Sequence, residues 1–392
     1  MWIVKPANSS RGRGIHIIES LDELNVDETS VISRYITNPL LINGHKFDLR
    51  IYVVVTCYEP LRVYVYKEGL ARFASESYST KFNKNNKYMH LTNYSINKKN
   101  EKFVQNEDVE QDDVGFKWSL TAFCNHLEQV GIDMDLLWSR IFDVILKTLA
   151  CGDNYVIQAM KKNNMYRLNC FEVFGFDILL DSDLKPWLVE VNLSPSLSPE
   201  SPLDMTIKTN LLVDTFNLCG IRRFDRRKES LNKLKYRAKT SGFQSAGAGP
   251  GKSKAYLGNY SLSGSIPMPQ SGANDLMIAN FHQNPQVEYL IDKMVSTYEE
   301  EYLDVYEPMK SSMQLKFRDL IQETVSEFCR MENFCRIFPA RNSKMYEKFF
   351  AGQKPLNKIL YRVFYSSDIL PYGRNVEKSA NPFPAKASSL LA

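Results

Sequence analysis

Two short apolar stretches bring three oxygen-bearing side chains toward one place. They are Phe174-Gly175-Phe176-Asp177-Ile178-Leu179-Leu180 and Trp187-Leu188-Val189-Glu190-Val191-Asn192, with turn-forming residues at 181–186 between them. If the hairpin is symmetric about that turn, Leu180 faces Trp187 and Asp177 lies directly opposite Glu190. Asn192 then shares the face of Glu190, because side chains alternate along a strand. Opposed carboxylates repel unless a cation sits between them, and Asp, Glu and Asn offer the hard oxygens that Mg²⁺ prefers. A solvated sheet face is the plain alternative; the apolar flanks on both strands favour the metal.

A second constellation is Lys46-Phe47-Asp48-Leu49-Arg50-Ile51. Alternation puts Lys46, Asp48 and Arg50 on one face, with Phe47, Leu49 and Ile51 in the core. Ammonium, carboxylate and guanidinium in a row suit a nucleotide, although a salt-bridged sheet surface has the same pattern. A third is Lys5 at a strand end, followed by Ser9-Ser10-Arg11-Gly12-Arg13-Gly14, where small residues let backbone N–H groups approach phosphate. It is not the GxxxxGK[ST] phosphate loop. The fourth is His90-Leu91-Thr92-Asn93-Tyr94-Ser95, rich in donors; His90 reads as a structural histidine, since no partner nucleophile is near it.

The elements that must hold these residues follow from the pattern around them. Residues 2–5, 15–18, 31–36, 47–58 and 61–66 are rich in β-branched and aromatic side chains and predict strands. Between 116 and 149 the apolar period changes to three and four, predicting two helices broken near Gly131. Strand character returns at 174–180 and 187–192, so sheet and helix mix in one unit ending near Gly220. Residues 222–239 then carry nine Lys and Arg against two acids, and 240–280 are Gly/Ser/Pro-rich, as in a linker. Helical periodicity resumes after 281, and the tail beyond 365 is polar.

Composition excludes several classes. Among the 392 residues, 49 basic and 45 acidic side chains give a net charge of +4, and the hydrophobic fraction of 44% can fill a sizeable core. The seven cysteines are scattered without a CxxC pair, which fits reduced thiols rather than a disulfide framework or a zinc site. Cys124 and His126 could form half a metal site, but helix packing is the simpler reading. No apolar run approaches the roughly 20 residues needed to cross a bilayer, so no membrane partner is expected. The opening Met1-Trp2-Ile3-Val4-Lys5-Pro6 lacks the apolar core of a signal peptide and reads as a strand already in progress. Nucleic acid is not expected to be a partner, because no stacking aromatics interleave the basic run.

The order of these features is more telling than any one of them. Phosphate loop, charged strand, helices and paired-carboxylate hairpin, in that sequence, resemble an ATP-grasp ligase. The segments Trp2-Ile-Val-Lys-Pro6, Ser33-Arg-Tyr-Ile36, Lys46-Phe-Asp-Leu-Arg50, Arg72-Phe-Ala74, His90-Leu-Thr-Asn-Tyr-Ser95 and Glu190-Val-Asn-Leu-Ser-Pro-Ser196 resemble the tubulin tyrosine ligase-like family, in its polyglutamylase subgroup. The likeness runs from residue 2 to about 221. It implies an α+β, ATP-grasp-type catalytic unit at 1–221, incomplete at its N-terminus because family members carry a further domain and opening strands. A basic and Gly/Ser/Pro-rich linker at 222–280 follows, then a helical appendage at 281–365 and a flexible tail at 366–392. The run Arg336-Ile-Phe-Pro-Ala-Arg341 resembles a microtubule-binding portion of longer members.

Residue by residue, the resemblance implies that Lys5, Arg11 and Gly12 hold ATP phosphates and that Ser33, Arg34, Tyr35 and Ile36 form the adenine hinge. Lys46, Phe47, Asp48, Thr92 and Asn93 complete the nucleotide site. Arg72, Tyr94, Ser95, Lys117, Glu190 and Lys208 would hold free L-glutamate, and Arg11 would also touch the acceptor protein. Asp177, Glu190 and Asn192 would bind two Mg²⁺ ions, and Arg50 and Glu190 would be catalytic. The implied reaction joins glutamate to glutamate side chains of tubulin C-terminal tails through an acyl-phosphate. The basic segment would attract those acidic tails. Leu193 after Asn192 resembles members that start a branch, and the wording around Arg72 and Asn192 disfavours a glycine or tyrosine ligase. A monomer in the cytoplasm on the cytoskeleton, including cilium or basal body, is implied. The rival is a truncated, inactive relative that binds tubulin or microtubules.

Overall fold

A computed structural model describes residues 1–79, 83–104, 113–165, 170–221, 230–231, 289 and 310–365, apart from 8, 26, 353, 362 and 363. Three strands open the chain: β1 (Trp2–Pro6), β2 (His16–Ile18) and β3 (Ser30–Arg34), which form an antiparallel sheet in the order β2-β1-β3. The short β4 (Leu41–Ile42) leads into the long hairpin of β5 (His45–Tyr58) and β6 (Leu61–Phe73). Two single turns, α1 (Lys87–His90) and α2 (Tyr94–Asn97), precede β7 (Lys117–Ser119), α3 (Leu120–Gln129) and the 29-residue α4 (Met134–Lys162). Next come β8 (Glu172–Leu180), β9 (Pro186–Asn192) and α5 (Pro202–Leu218). The chain returns with α6 (Lys310–Cys329), β10 (Phe334–Phe338) and α7 (Pro355–Tyr361).

The larger sheet runs β10-β6-β5-β8-β9, with β4 added to β5 and β7 to β6. Its central strands are buried on both faces, as near-continuous apolar runs require. On one face Phe47, Leu49, Ile51, Val53 and Val55 pack with Phe123, Leu127, Trp138, Ile141 and Ile145 of α3 and α4. The opposite face begins with Lys46, Asp48 and Arg50 and turns apolar at Tyr52 and Val54, where Leu203, Ile207, Leu211 and Leu218 of α5 cover it. The alternation expected for β5 is thus observed, and α5 marks where the polar half of that face ends. Sequence reasoning did not read α5 as a helix, yet its start is written in Ser201-Pro202-Leu203-Asp204: a capping serine, proline at the first helical position, and an acid in the first turn.

The described residues of 1–219 and 289–365 belong to one unit, and 220, 221, 230 and 231 to another. A separate helical appendage at 281–365 is therefore not what the described residues show. Phe334, Cys335 and Arg336 pair with Tyr66, Val65 and Tyr64, so the segment adds a strand to the main sheet. Arg336 is also not a surface charge: it is 7% exposed, lies against the rings of Phe328 and Phe364, and donates to the Tyr365 hydroxyl. The basic run at 222–239 (except 230 and 231), the linker at 240–280, the helical periodicity at 287–298 (except 289) and the tail at 366–392 lie outside the described residues. Among the described residues, no helix is long and apolar enough to cross a membrane.

Candidate active site

Strand pairing sets a row of charges across one face of the larger sheet. Lys117 of β7 lies opposite Arg72 of β6, Arg72 opposite Asp48 of β5, Arg50 opposite Asp177 of β8, and Asp177 opposite Glu190 of β9. The carboxylate pair is in register, though not through a symmetric hairpin. Near the turn, Leu180 faces Pro186 and Leu179 faces Trp187, one residue off symmetry. A bulge after Ile178 and Leu188 absorbs the extra residue and brings Asp177 opposite Glu190.

Two arginines knit the row together. Arg72 donates from Nε and a terminal nitrogen to both oxygens of Asp48, each at 2.7 Å, and reaches Asp177 at 2.8 Å. Arg50 takes both Asp177 oxygens, at 2.5 and 3.1 Å. Thr92 adds a hydroxyl to Asp48 at 2.7 Å. Gly175 makes room for this packing, since a Cβ there would lie 3.1 Å from Arg50 Cδ and 2.9 Å from Pro195 Cβ. Burial opposes the Asp177 charge, but Arg72 and Arg50 outweigh it and hold this carboxyl far below the usual range. Burial and then the Asp177 charge raise the pKa of Glu190.

The ionised form of Glu190 is thus disfavoured beside Asp177, and a cation placed there would remove that cost. Asn192 donates from Nδ2 to the Gly175 carbonyl at 3.1 Å and toward Glu190 at 3.4 Å, which turns its Oδ1 away from both as a further ligand. This oxygen donor set fits Mg²⁺, which keeps several waters and needs few protein ligands. Among the described residues, no group of three or more His, Cys, Asp or Glu is placed to hold a metal by itself. Both Asp177 oxygens are taken by arginines, so Glu190 and Asn192 would be the freer ligands for such an ion.

Beside the row, Lys46 is buried and donates to the Tyr35 hydroxyl at 3.1 Å and the His90 carbonyl at 3.0 Å. Burial lowers its pKa to about 8. Lys5 reaches across from the smaller sheet to the Val189 carbonyl at 3.2 Å. His90 is held at both ring nitrogens, by Tyr35 and by the Asn83 carbonyl, as expected of a structural histidine. The glycine loop packs on α2: Ser95 donates to the Arg11 carbonyl at 2.9 Å, and a Cβ on Gly12 would strike Asn93 Oδ1 and Ile96. Gly12 also needs its positive φ of 75°. This loop, with Lys87, Leu91, Ser95, Ile96, Lys98 and Lys99, lines a cleft of about 660 Å³.

The structure thus gathers Lys46, Asp48, Arg50, Arg72, Thr92, Asp177, Glu190 and Asn192 on one face. Lys117, Tyr94 and Lys208 form a second group: Lys117 Nζ sits 4.4 Å over the Tyr94 ring, and both lysines approach Asp204. Ser33 and Arg34 are exposed at the end of β3, and Ile36 is half-buried beyond it. Phe47 points the other way, into the core against Phe73 and Phe123, so only its backbone is on hand for a nucleotide. Arg11, exposed with φ of 59°, makes no contact with the charge row among the described residues. Asp204 was missed by sequence reasoning; its signal was its place in the first turn of α5, four residues before Lys208.

Comparisons with known proteins place the chain among relatives. A model of the tubulin-tyrosine ligase family matches residues 1–229. The chain is 48% identical to human tubulin polyglutamylase TTLL5 over 220 residues, 56% of this chain and 17% of that protein. It is 38% identical to mouse tubulin monoglutamylase TTLL4 over 362 residues, 91% of this chain and 28% of that protein. It is 43% identical to zebrafish tubulin polyglutamylase ttll6 over 234 residues, 58% of this chain and 29% of that protein. The chain spans less than a third of the length of each of these relatives.

Proposed function

The chain belongs to the tubulin-tyrosine ligase family, and from that premise we propose that it is an ATP-dependent ligase of ATP-grasp type that joins L-glutamate to glutamate side chains of tubulin C-terminal tails. The observation that carries this reading is the charge row, in which Arg50 and Arg72 tie Asp48 to Asp177, with Glu190 in register opposite Asp177. Such a row is costly on a sheet face unless it handles charged ligands. The names of the relatives support tubulin and glutamate as the substrates.

In this reading a tail glutamate carboxylate attacks the γ-phosphorus of ATP, ADP leaves, and an acyl-phosphate forms. The amine of free glutamate attacks the acyl carbon, inorganic phosphate leaves with the C–O bond electrons, and an amide remains after the amine loses its proton. Two Mg²⁺ ions, held by Asp177, Glu190 and Asn192, would supply Lewis-acid neutralisation of phosphate charge. Lys5 and Lys46 hold phosphates by charge, and Asp48 and Thr92 fix the nucleotide. Arg50 steadies the carboxylates that face it, and Arg72, Lys117 and Lys208 orient the incoming amino acid. Catalysis is then positioning and electrostatics, with no side-chain nucleophile. The likeness to the monoglutamylase spans 91% of the chain, and with Leu193 after Asn192 it favours starting a branch over lengthening one. The cytoskeleton, including cilia, is the proposed place of action, and the chain is proposed to work as a monomer.

Microtubules incubated with the chain, ATP, Mg²⁺ and labelled glutamate, glycine or tyrosine test this. Glutamate label on tubulin is the expected result. Co-pelleting of the chain without incorporation of any label would instead mark a binding protein.

A further inference from the structure

We propose that the buried carboxylate of Asp204 is a positioning residue that gathers the ammonium groups of Lys117 and Lys208 into one anion site for a carboxylate of the free amino acid. The proposal rests on the ligase reading above. Asp204 is wholly buried in the first turn of α5, where the helix dipole favours a negative charge. One of its oxygens, Oδ2, accepts from Lys117 Nζ at 2.9 Å and from the Glu200 backbone N–H at 3.1 Å, and lies 3.6 Å from Lys208 Nζ. Its other oxygen has no hydrogen-bond partner among the described residues, so the charge is kept in the interior chiefly by the two cations.

Both lysines are themselves buried, at 8% and 6% exposure, and each is fixed by a second contact. Lys117 lies over the Tyr94 ring, and Lys208 donates to the Ser198 carbonyl at 2.7 Å. Two flexible, strongly hydrated ammonium groups do not otherwise share a buried spot. Burial and the Lys117 charge lower the Lys208 pKa, while Asp204 and Glu200 oppose both. Asp204 and Glu200 together match the two ammonium charges, but Glu200, 3.7 Å from Lys117, is exposed at the rim, where an incoming carboxylate can take its place. Lys117 also pairs in register with Arg72, whose guanidinium is already shared by Asp48 and Asp177. Next to Arg72, the lysine pair is therefore held in place by the buried Asp204 before the substrate arrives, with only the exposed Glu200 to displace.

Calorimetric titration of L-glutamate into the full chain, loaded with Mg²⁺ and a non-hydrolysable ATP analogue, tests this. Asp204→Asn is expected to weaken glutamate binding about tenfold or more while the affinity for the analogue stays unchanged. A second set does not touch the buried acid: Lys117→Gln and Lys208→Gln should each weaken glutamate binding, and the double variant should be no weaker than the worse single one. Equal glutamate affinity in Asp204→Asn, or lysine effects that multiply as independent sites, would overturn the proposal and leave the ligase reading standing. If the unaltered chain binds the analogue but no glutamate, the reading and the proposal fall together. Should Asp204→Asn not fold, the lysine set decides.

Discussion

The charge row depends on geometry that a nominally conservative change would lose. Arg72 spends its planar fork on Asp48 and Asp177 together, which a lysine cannot do. Arg72→Lys should therefore lower glutamate incorporation on the order of 10²-fold with little loss of secondary structure, read by label counting and circular dichroism. Lys46 gives a pH signature. Its pKa is lowered to about 8, so it loses its positive charge as pH rises through that value, and nucleotide affinity falls with it. Titration of an ATP analogue should show binding constant below about pH 8 and weakening above it by up to about tenfold per unit, and Lys46→Arg should abolish that alkaline limb. At this scale the sequence was a good guide wherever alternation along a strand decides a face, as for Lys46, Asp48, Arg50, Asp177 and Glu190. It was a poor one where a contact joins distant elements: nothing local in Lys117 or Lys208 distinguishes them from solvated lysines.

Elements beyond the charge row decide whether it stands. Arg62, wholly buried on β6, pairs with Glu327 at 3.1 Å and donates to Thr324 of α6 at 3.1 Å, while Thr56 and Tyr64 give their hydroxyls to the same glutamate. Arg62→Ala would leave Glu327 charged in the interior and should cost about 3–5 kcal/mol in urea unfolding. Asn357 before the end of α7 bonds both the N–H and the carbonyl of Leu61, standing in for a strand partner at the hairpin turn. A buried pair of Lys354 with Asp153 ties the same segment to α4. Apart from the short β4 and β7, the strands up to β9 and the helices α3 and α4 were legible because their apolar periods are unbroken. β10 was not, because five residues, Phe334–Phe338, carry too little period to separate strand from helix, and its partner lies more than 260 positions away. The bulge between β8 and β9 was invisible for a related reason: a one-residue irregularity leaves no mark in composition.

For the whole molecule, the boundary near residue 221 that composition suggested interrupts the packed unit without ending it. The shift to basic and then Gly/Ser/Pro-rich residues is real, but the chain beyond it returns to complete the sheet. A chain cut after residue 221 should consequently fail to give a cooperative thermal transition, where the full chain gives one; a cut chain that melted normally would show that the returning segment is dispensable. The net charge of +4 hides nine cations within 222–239, and microtubule co-pelleting should fall steeply with added salt if they meet acidic tails. The central claim is ligation of glutamate at the row that ends in Glu190. Mass spectrometry of tubulin C-terminal tails, after incubation with the chain, ATP, Mg²⁺ and glutamate, tests it most directly. The account predicts tails heavier by whole glutamyl residues, and none with Glu190→Gln. Tails unchanged by the unaltered chain, or glutamylated equally by Glu190→Gln, would contradict it.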